Sequence, residues 1–185
     1  MKDRSLVQIA LYAAIFAVLG LLPRLDLPIA GGVPITAQSM GAMLAGVMLG
    51  AWRGALAIVL LLFVVALGAP LLAGGRGGLG VFFSPSVGFI FGWVAAAFVA
   101  GWIMQLLRKA PVFPAALVAS VVGGIVVLYA FGIVGMALKT QLSLVDAAKA
   151  SLVFLPGDAI KAVLTALVAQ TVARGMPEAL LSRAR

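Results

Sequence analysis

Neither cysteine nor histidine occurs among the 185 residues. Their absence removes disulfides, thiolate and imidazole metal ligands, cysteine nucleophiles and histidine-based triads together. No metal site and no cofactor is expected. Charge is nearly as scarce. Charged residues make up 10% of the chain, where a soluble domain carries about 25%. Only five are Asp or Glu, and none of these lies between Asp26 and Asp146. General acid–base chemistry needs titratable groups within reach of one another. Asp158 and Lys161 alone offer that, so catalysis is not expected.

What fills the chain instead is apolar. Hydrophobic residues reach 64%, and the mean hydropathy is +1.24. Too little polar surface remains to coat a water-facing body, so the sequence reads as one integral membrane domain over residues 1–185. The net charge of +8 raises nucleic acid as a partner. The basic residues are scattered singly, however, without the basic patch or helix such binding needs. Anchoring of loops at a membrane surface accounts for them better.

Runs long enough to cross a bilayer, about 20 mostly apolar residues, fall at roughly 5–22, 34–51, 53–69, 86–107, 112–138 and 150–173. "GAWRG" reads as the tight turn between the second and third. No small-x-small cleavage pattern follows the first run, which is therefore expected to be a retained helix rather than a signal peptide. Six spans put both termini on one side. With the N-terminus inside, the inner face holds Lys2, Arg4, Arg53, Arg108, Lys109, Arg174, Arg183 and Arg185. The outer face holds Arg24, Arg76, Lys139 and Lys149, and Lys161 falls within the last span. The basic excess on the first set predicts cytoplasmic termini. Segments 23–33, 70–85 and 139–149 then form the outward loops. The first, rich in Pro and Gly, suits a short hairpin or flap. The second brings five glycines between positions 74 and 80, which permit close approach to a ligand or a helix.

Two motifs fail on context. "GRGGLG" at 75–80 matches the dinucleotide fingerprint in letters, but a membrane span precedes it and no acidic residue follows at ribose distance. No phosphate-cradling G-x-x-x-x-G-K-[ST] exists, so any ATP-driven step requires another subunit. Small residues recur at four-residue spacing, as in Gly46–Gly50, Gly50–Gly54 and Gly88–Gly92. That pattern lets helices pack closely in lipid. On the first helix Ala10, Ala13, Ala14 and Ala17 form a smooth face suited to a partner helix.

The chemistry concentrates in "FLPGDAIKAVLTALV", residues 154–168. A charge deep in a bilayer costs at least about 2.5–3.5 kcal/mol and so faces a cavity or a partner. Asp158 and Lys161, three apart, share a helix face and can neutralise each other. They suit either a structural ion pair or the floor of a pocket. The Pro156–Gly157 pair reads as a backbone break, which membranes tolerate beside a cavity, and favours the pocket. About 15 residues, or about 22 Å, separate Asp158 from the inner end near Ala173, so Asp158 lies in the outer part of the membrane. Thr36, Gln38, Arg76, Ser84 and Ser86 are the polar residues able to join it, with Phe82, Phe83 and Phe89 as walls. A mostly apolar pocket with a few placed polar groups suits a small molecule.

"VPITAQSMGAMLAG", "GAPLLAGGRGGLGVFFSPSVGFIFG" and above all "FLPGDAIKAVLTALVA" resemble the BioY family, the biotin-specific substrate-binding (S) components of energy-coupling factor transporters. The resemblance covers nearly the whole chain. It implies an all-α six-helix bundle in a prokaryotic cytoplasmic membrane and biotin as ligand. The implied partners are membrane lipids, a coupling membrane protein and two ATP-binding-cassette ATPase subunits, although some members act without that module. By motif, Asp158 and Lys161 become ligand contacts. Arg76 takes the variable position of the G-G-x-G-G block between Gly75 and Gly77. Gln38 sits in the Gln-x-Met-Gly element close to Thr36. Phe89 stands where Tyr is common, and "SPSVG" replaces "GPTGG", so a hydroxyl contact expected from that Tyr is absent. An S component for riboflavin or thiamine, a stand-alone carrier or channel, and a structural subunit remain as alternatives.

Overall fold

A chain this apolar satisfies its backbone polar groups within helices, because lipid offers no partners for exposed N–H and C=O groups. The computed structural model describes residues 2–27 and 31–183. Arg185 and the segment 28–30, which entered the charge count and the first outward loop above, lie outside the described residues. The helices are α1 (Lys2–Leu19), α2 (Gln38–Leu49), α3 (Ala51–Ala66), α4 (Val87–Leu106), α5 (Val112–Val121), α6 (Leu128–Thr140), α7 (Leu144–Ser151) and α8 (Leu155–Gly175). A π-helical segment, Val122–Val127, joins α5 to α6, and a 3₁₀ turn, Leu152–Phe154, joins α7 to α8. The continuous runs Val112–Thr140 and Leu144–Gly175, together with α4, are long and apolar enough to cross a membrane, and α1, α2 and α3 are shorter apolar helices. Six helical segments result. Large apolar side chains such as Phe63, Phe91, Trp102, Leu138 and Ile160 stay exposed on their outer faces, as expected where the surroundings are lipid.

Segment boundaries differ from the sequence expectation in three places. The turn between α2 and α3 is Gly50 alone, at φ 87°, and Trp52 and Arg53 already belong to α3. A left-handed φ of that kind needs glycine. The segment 139–149, expected to be an outward loop, is largely helical, because Ser143 caps α7 by accepting a hydrogen bond from the Asp146 N–H at 3.1 Å. Third, Pro156–Gly157 is not a break. Pro156 occupies the first turn of α8, where its missing N–H has no partner to lose. The irregularity lies one turn earlier, in the 3₁₀ segment.

α2 is the hub, with every residue but Met40 buried. α1, α3, α4 and α8 pack around it. The glycines act as expected, in packing within the chain. A Cβ on Gly46 would overlap the Ala97 carbonyl, and one on Gly101 would overlap the Gly50 backbone. Gly88 of α4 and Gly135 of α6 exclude Cβ atoms from each other. Such contacts let α4 lie against α2 and α6 at backbone distance.

The alanine face of α1 divides. Ala13 is buried and belongs to the core, Ala17 packs against that core, and Phe16 beside them is fully buried. Ala10 and Ala14 are exposed among Val7, Leu11 and Val18. At 100° per residue, positions 13, 16 and 17 turn inward while 7, 10, 11, 14 and 18 turn outward. Of the four alanines, Ala10 and Ala14 are exposed on the outer face, whereas Ala13 is withdrawn into the core.

The C-terminal segment folds back under the bundle. Leu180 inserts beside Val47, Met48, Met104 and Ala169. Arg183 donates from Nη1 to the Ala110 carbonyl at 2.7 Å and from Nη2 to the Leu107 carbonyl at 3.2 Å. It thereby supplies donors to carbonyls of the turn that joins α4 to α5.

Candidate functional site

The segments around residues 31–36 and 70–86 close over one end of the bundle. Residues 25 and 35 exchange backbone hydrogen bonds at 3.0 and 2.9 Å, an isolated antiparallel bridge across the first loop. In the second loop Leu72 and Arg76 pair in the same way, at 2.9 and 3.0 Å, around Gly74 and Gly75, both at left-handed φ. That tight turn projects Arg76. Beneath these loops a cavity opens between α2, α4, α6 and α8. Thr36, Ser39, Arg76, Ser86, Asp158 and Lys161 supply its polar lining, and Val33, Ile35, Phe89, Ile90, Trp93, Leu128 and Phe154 its apolar walls.

The expected pair is present. Lys161 Nζ lies 2.7 Å from Asp158 Oδ1, and α8 presents both to the cavity from its first two turns. Two residues complete the arrangement. Ser39 of α2 donates to Asp158 Oδ1 at 2.9 Å and accepts from Lys161 Nζ at 2.9 Å. Tyr129 of α6 donates to Asp158 Oδ2 at 2.9 Å. Asp158 is only 4% exposed, and a buried carboxylate stays charged only where paired and hydrogen-bonded. Helix α8 reinforces this, because its N-terminal turn favours a negative group. The network ties α2, α6 and α8 together at the cavity floor.

Arg76 is the other charge in the cavity. Its Nε donates to the Ala73 carbonyl at 3.2 Å and its Nη1 to Ser86 Oγ at 3.3 Å. Burial, with Arg24 nearby, lowers its pKa from the usual arginine value, and Asp26 partly opposes this. Among the described residues no carboxylate pairs with Arg76, and Asp26 is held by Arg24 at 2.9 Å. The Asp158–Lys161 pair is neutral in sum, so the cavity carries one uncompensated positive charge. An anionic group on a ligand would answer it.

Several expected contacts are placed otherwise. Gln38 is fully buried but does not line the cavity. Its Nε2 donates to the Leu71 carbonyl at 3.0 Å, and its Oε1 accepts from the Ala73 N–H at 2.8 Å. With both amide poles engaged, it braces the loop that carries Arg76. Gly75 and Gly77 are absent from the lining as well. Gly75 faces open space, whereas a Cβ on Gly77 would overlap the Ala69 carbonyl. Gly75 helps form the turn, and Gly77 lets the chain pass close against Ala69. Phe82 and Ser84 lie outside the lining, although Ser84 Oγ sits 2.9 Å from Ser86 Oγ. Phe83 is 73% exposed with Lys139 Nζ 5.6 Å from its ring centre. Thr36 and Phe89 do line the cavity. Phe89 stacks edge-on with Phe154 and Tyr129, at 5.7 and 6.2 Å between centroids.

Ser39, Tyr129, Trp93 and Phe154 were not legible as site residues in sequence. Tyr129 had one usable signal, as a lone phenol in the apolar run "VVLYAFG". Ser39 had none beyond its place next to Gln38.

The BioY family model matches residues 1–178. The biotin transporter BioY of Rhodobacter capsulatus is 48% identical over 98% of this chain and 99% of its own length. That of Rhizobium etli is 48% identical over 96% of this chain and 97% of its own. A crystal structure of the S-component for biotin from an ECF-type ABC transporter superposes with a TM-score of 0.86. It is 29% identical and covers 94% of this chain and 92% of that one. With the cavity, its buried ion pair and the six-segment bundle, these matches establish that the chain belongs to the BioY family.

Proposed function

We propose that this chain captures biotin at the outer face of the cytoplasmic membrane and delivers it inward as the substrate-binding component of an ECF-type transporter. The observation that carries the reading is one cavity with a hydrogen-bonding floor, aromatic walls and a separate unpaired arginine. Biotin matches those features in kind. Its ureido group offers two N–H donors and a carbonyl, its thiophane ring is apolar, and its valerate chain ends in a carboxylate. Asp158 accepts from a ureido N–H, a charge-assisted bond stronger than a neutral one. Lys161 donates to the ureido carbonyl, and Arg76 meets the carboxylate. The distribution of Lys and Arg supports cytoplasmic termini. In that orientation the cavity opens outward.

The Arg76 assignment is tested with carboxylate-blocked ligands. Biotin amide and biotin methyl ester are expected to bind the parent protein more weakly than biotin, and Arg76→Ala to reduce that gap. Equal discrimination by the two proteins, read by titration calorimetry, would move the carboxylate contact elsewhere.

Hydrolysis of ATP would fall to a coupling membrane protein and two ATP-binding-cassette ATPases, which need a lipid-embedded face on this chain. Ala10 and Ala14 provide one, since small side chains permit close helix approach in lipid. Ala14→Trp is expected to retain biotin binding and to lose co-purification with a co-expressed coupling module. Intact assembly would assign docking to another face.

A further inference from the structure

The hydrogen bonds at the cavity floor can be counted against what each group is able to make. An ionised carboxylate offers about four acceptor sites, an ammonium three donors, and a hydroxyl one donor and two acceptor sites. Asp158 Oδ1 already receives Lys161 and Ser39, and Oδ2 receives Tyr129, which leaves one acceptor site on Oδ2. Lys161 Nζ has given two of its donors, to Asp158 and Ser39, and keeps one. Ser39 is more tightly constrained. Lys161 can only donate, so Ser39 Oγ must accept from it, and the single Ser39 proton goes to Asp158 Oδ1 at 2.9 Å. One acceptor site on Ser39 Oγ remains, and Ser39 lines the cavity.

Tyr129 does not line the cavity, so the floor groups that do, Ser39, Asp158 and Lys161, keep one donor and two acceptors between them. A cyclic urea presents the complement, one carbonyl acceptor and two N–H donors. We propose that Ser39 is a direct ligand contact that accepts the second ureido N–H, while Asp158 Oδ2 accepts the first and Lys161 donates to the carbonyl. This rests on the biotin reading and deepens it. Without Ser39 the floor offers a urea only one acceptor, and the second N–H would enter a largely apolar cavity unpaired, which is costly. Tyr129 acts indirectly as a positioning residue. By holding Oδ2 from α6, it fixes which side of the carboxylate faces the ligand. The network thus specifies a urea in preference to rings with a single N–H.

The test uses the full-length protein in detergent, titrated with biotin and with its two ureido N-monomethyl isomers. Each isomer removes one N–H and leaves the other. The parent is expected to discriminate against both. In Ser39→Ala, biotin binding should weaken about fivefold, the equivalent of one neutral hydrogen bond. Discrimination against one isomer should collapse while that against the other keeps its parental value. Ser39→Thr, which retains the hydroxyl, should restore the parental pattern. A parallel loss for all three ligands in Ser39→Ala, or no loss at all, would overturn the Ser39 contact and leave the biotin reading standing. Failure of the parent to bind biotin would overturn both.

Discussion

Asp158→Asn is expected to weaken biotin binding by about 10- to 150-fold, the range for a hydrogen bond to a charged group. The shape of the side chain is kept, and so are most of its contacts. Asparagine can turn its carbonyl toward Lys161 and Ser39 and its amide toward Tyr129, whose hydroxyl rotates to accept. The ligand then meets an N–H where Oδ2 offered a lone pair. Lys161, whose side chain is only 15% exposed, also loses its counter-charge. Removing one partner of a buried pair costs about 3–5 kcal/mol, so the melting temperature should fall together with affinity. Both are measured on the same preparation. A folded Asn variant with parental affinity would exclude Asp158 from ligand contact.

The second large effect comes from a residue that touches no ligand. Gly132 lies on α6 behind Phe89, and a Cβ there would overlap the Phe89 ring. Phe89 cannot retreat, because Phe154 and Tyr129 stack edge-on against it. The ring must then move toward the cavity it walls. Gly132→Ala is therefore expected to reduce biotin affinity about 5- to 150-fold, since overpacking of this kind costs about 1–3 kcal/mol. Phe89→Leu in the same background should recover part of the loss by making room. Unchanged affinity in Gly132→Ala would show that α6 yields instead of the aromatic wall.

The fold was legible because its causes are local or compositional. Apolar runs of bilayer length mark the segments, and small residues at four-residue spacing mark close packing, as Gly46 against Ala97 bears out. Asp158 and Lys161 were legible because a charge in such a run requires an explanation. Gln38 misled for a physical reason. A buried amide can bind a ligand or fasten a loop, and only the positions of the Leu71 carbonyl and the Ala73 N–H decide between them. Ser39 and Tyr129 reach Asp158 across 119 and 29 residues of chain, a proximity that no local pattern encodes. Ala13 and Ala14 are adjacent in sequence, yet one enters the core and the other faces outward. The composition of the stretch cannot distinguish them, whereas its phase around the helix does.

Titration calorimetry of the purified parent protein with biotin, and with thiamine and riboflavin as comparison ligands, tests the central claim most directly. On the proposed contacts the cavity takes one cyclic urea with an anionic tail, so biotin should saturate the protein at one molecule per chain, while thiamine and riboflavin give no saturable heat. No biotin binding by folded protein, or equal binding of either comparison vitamin, would contradict the account.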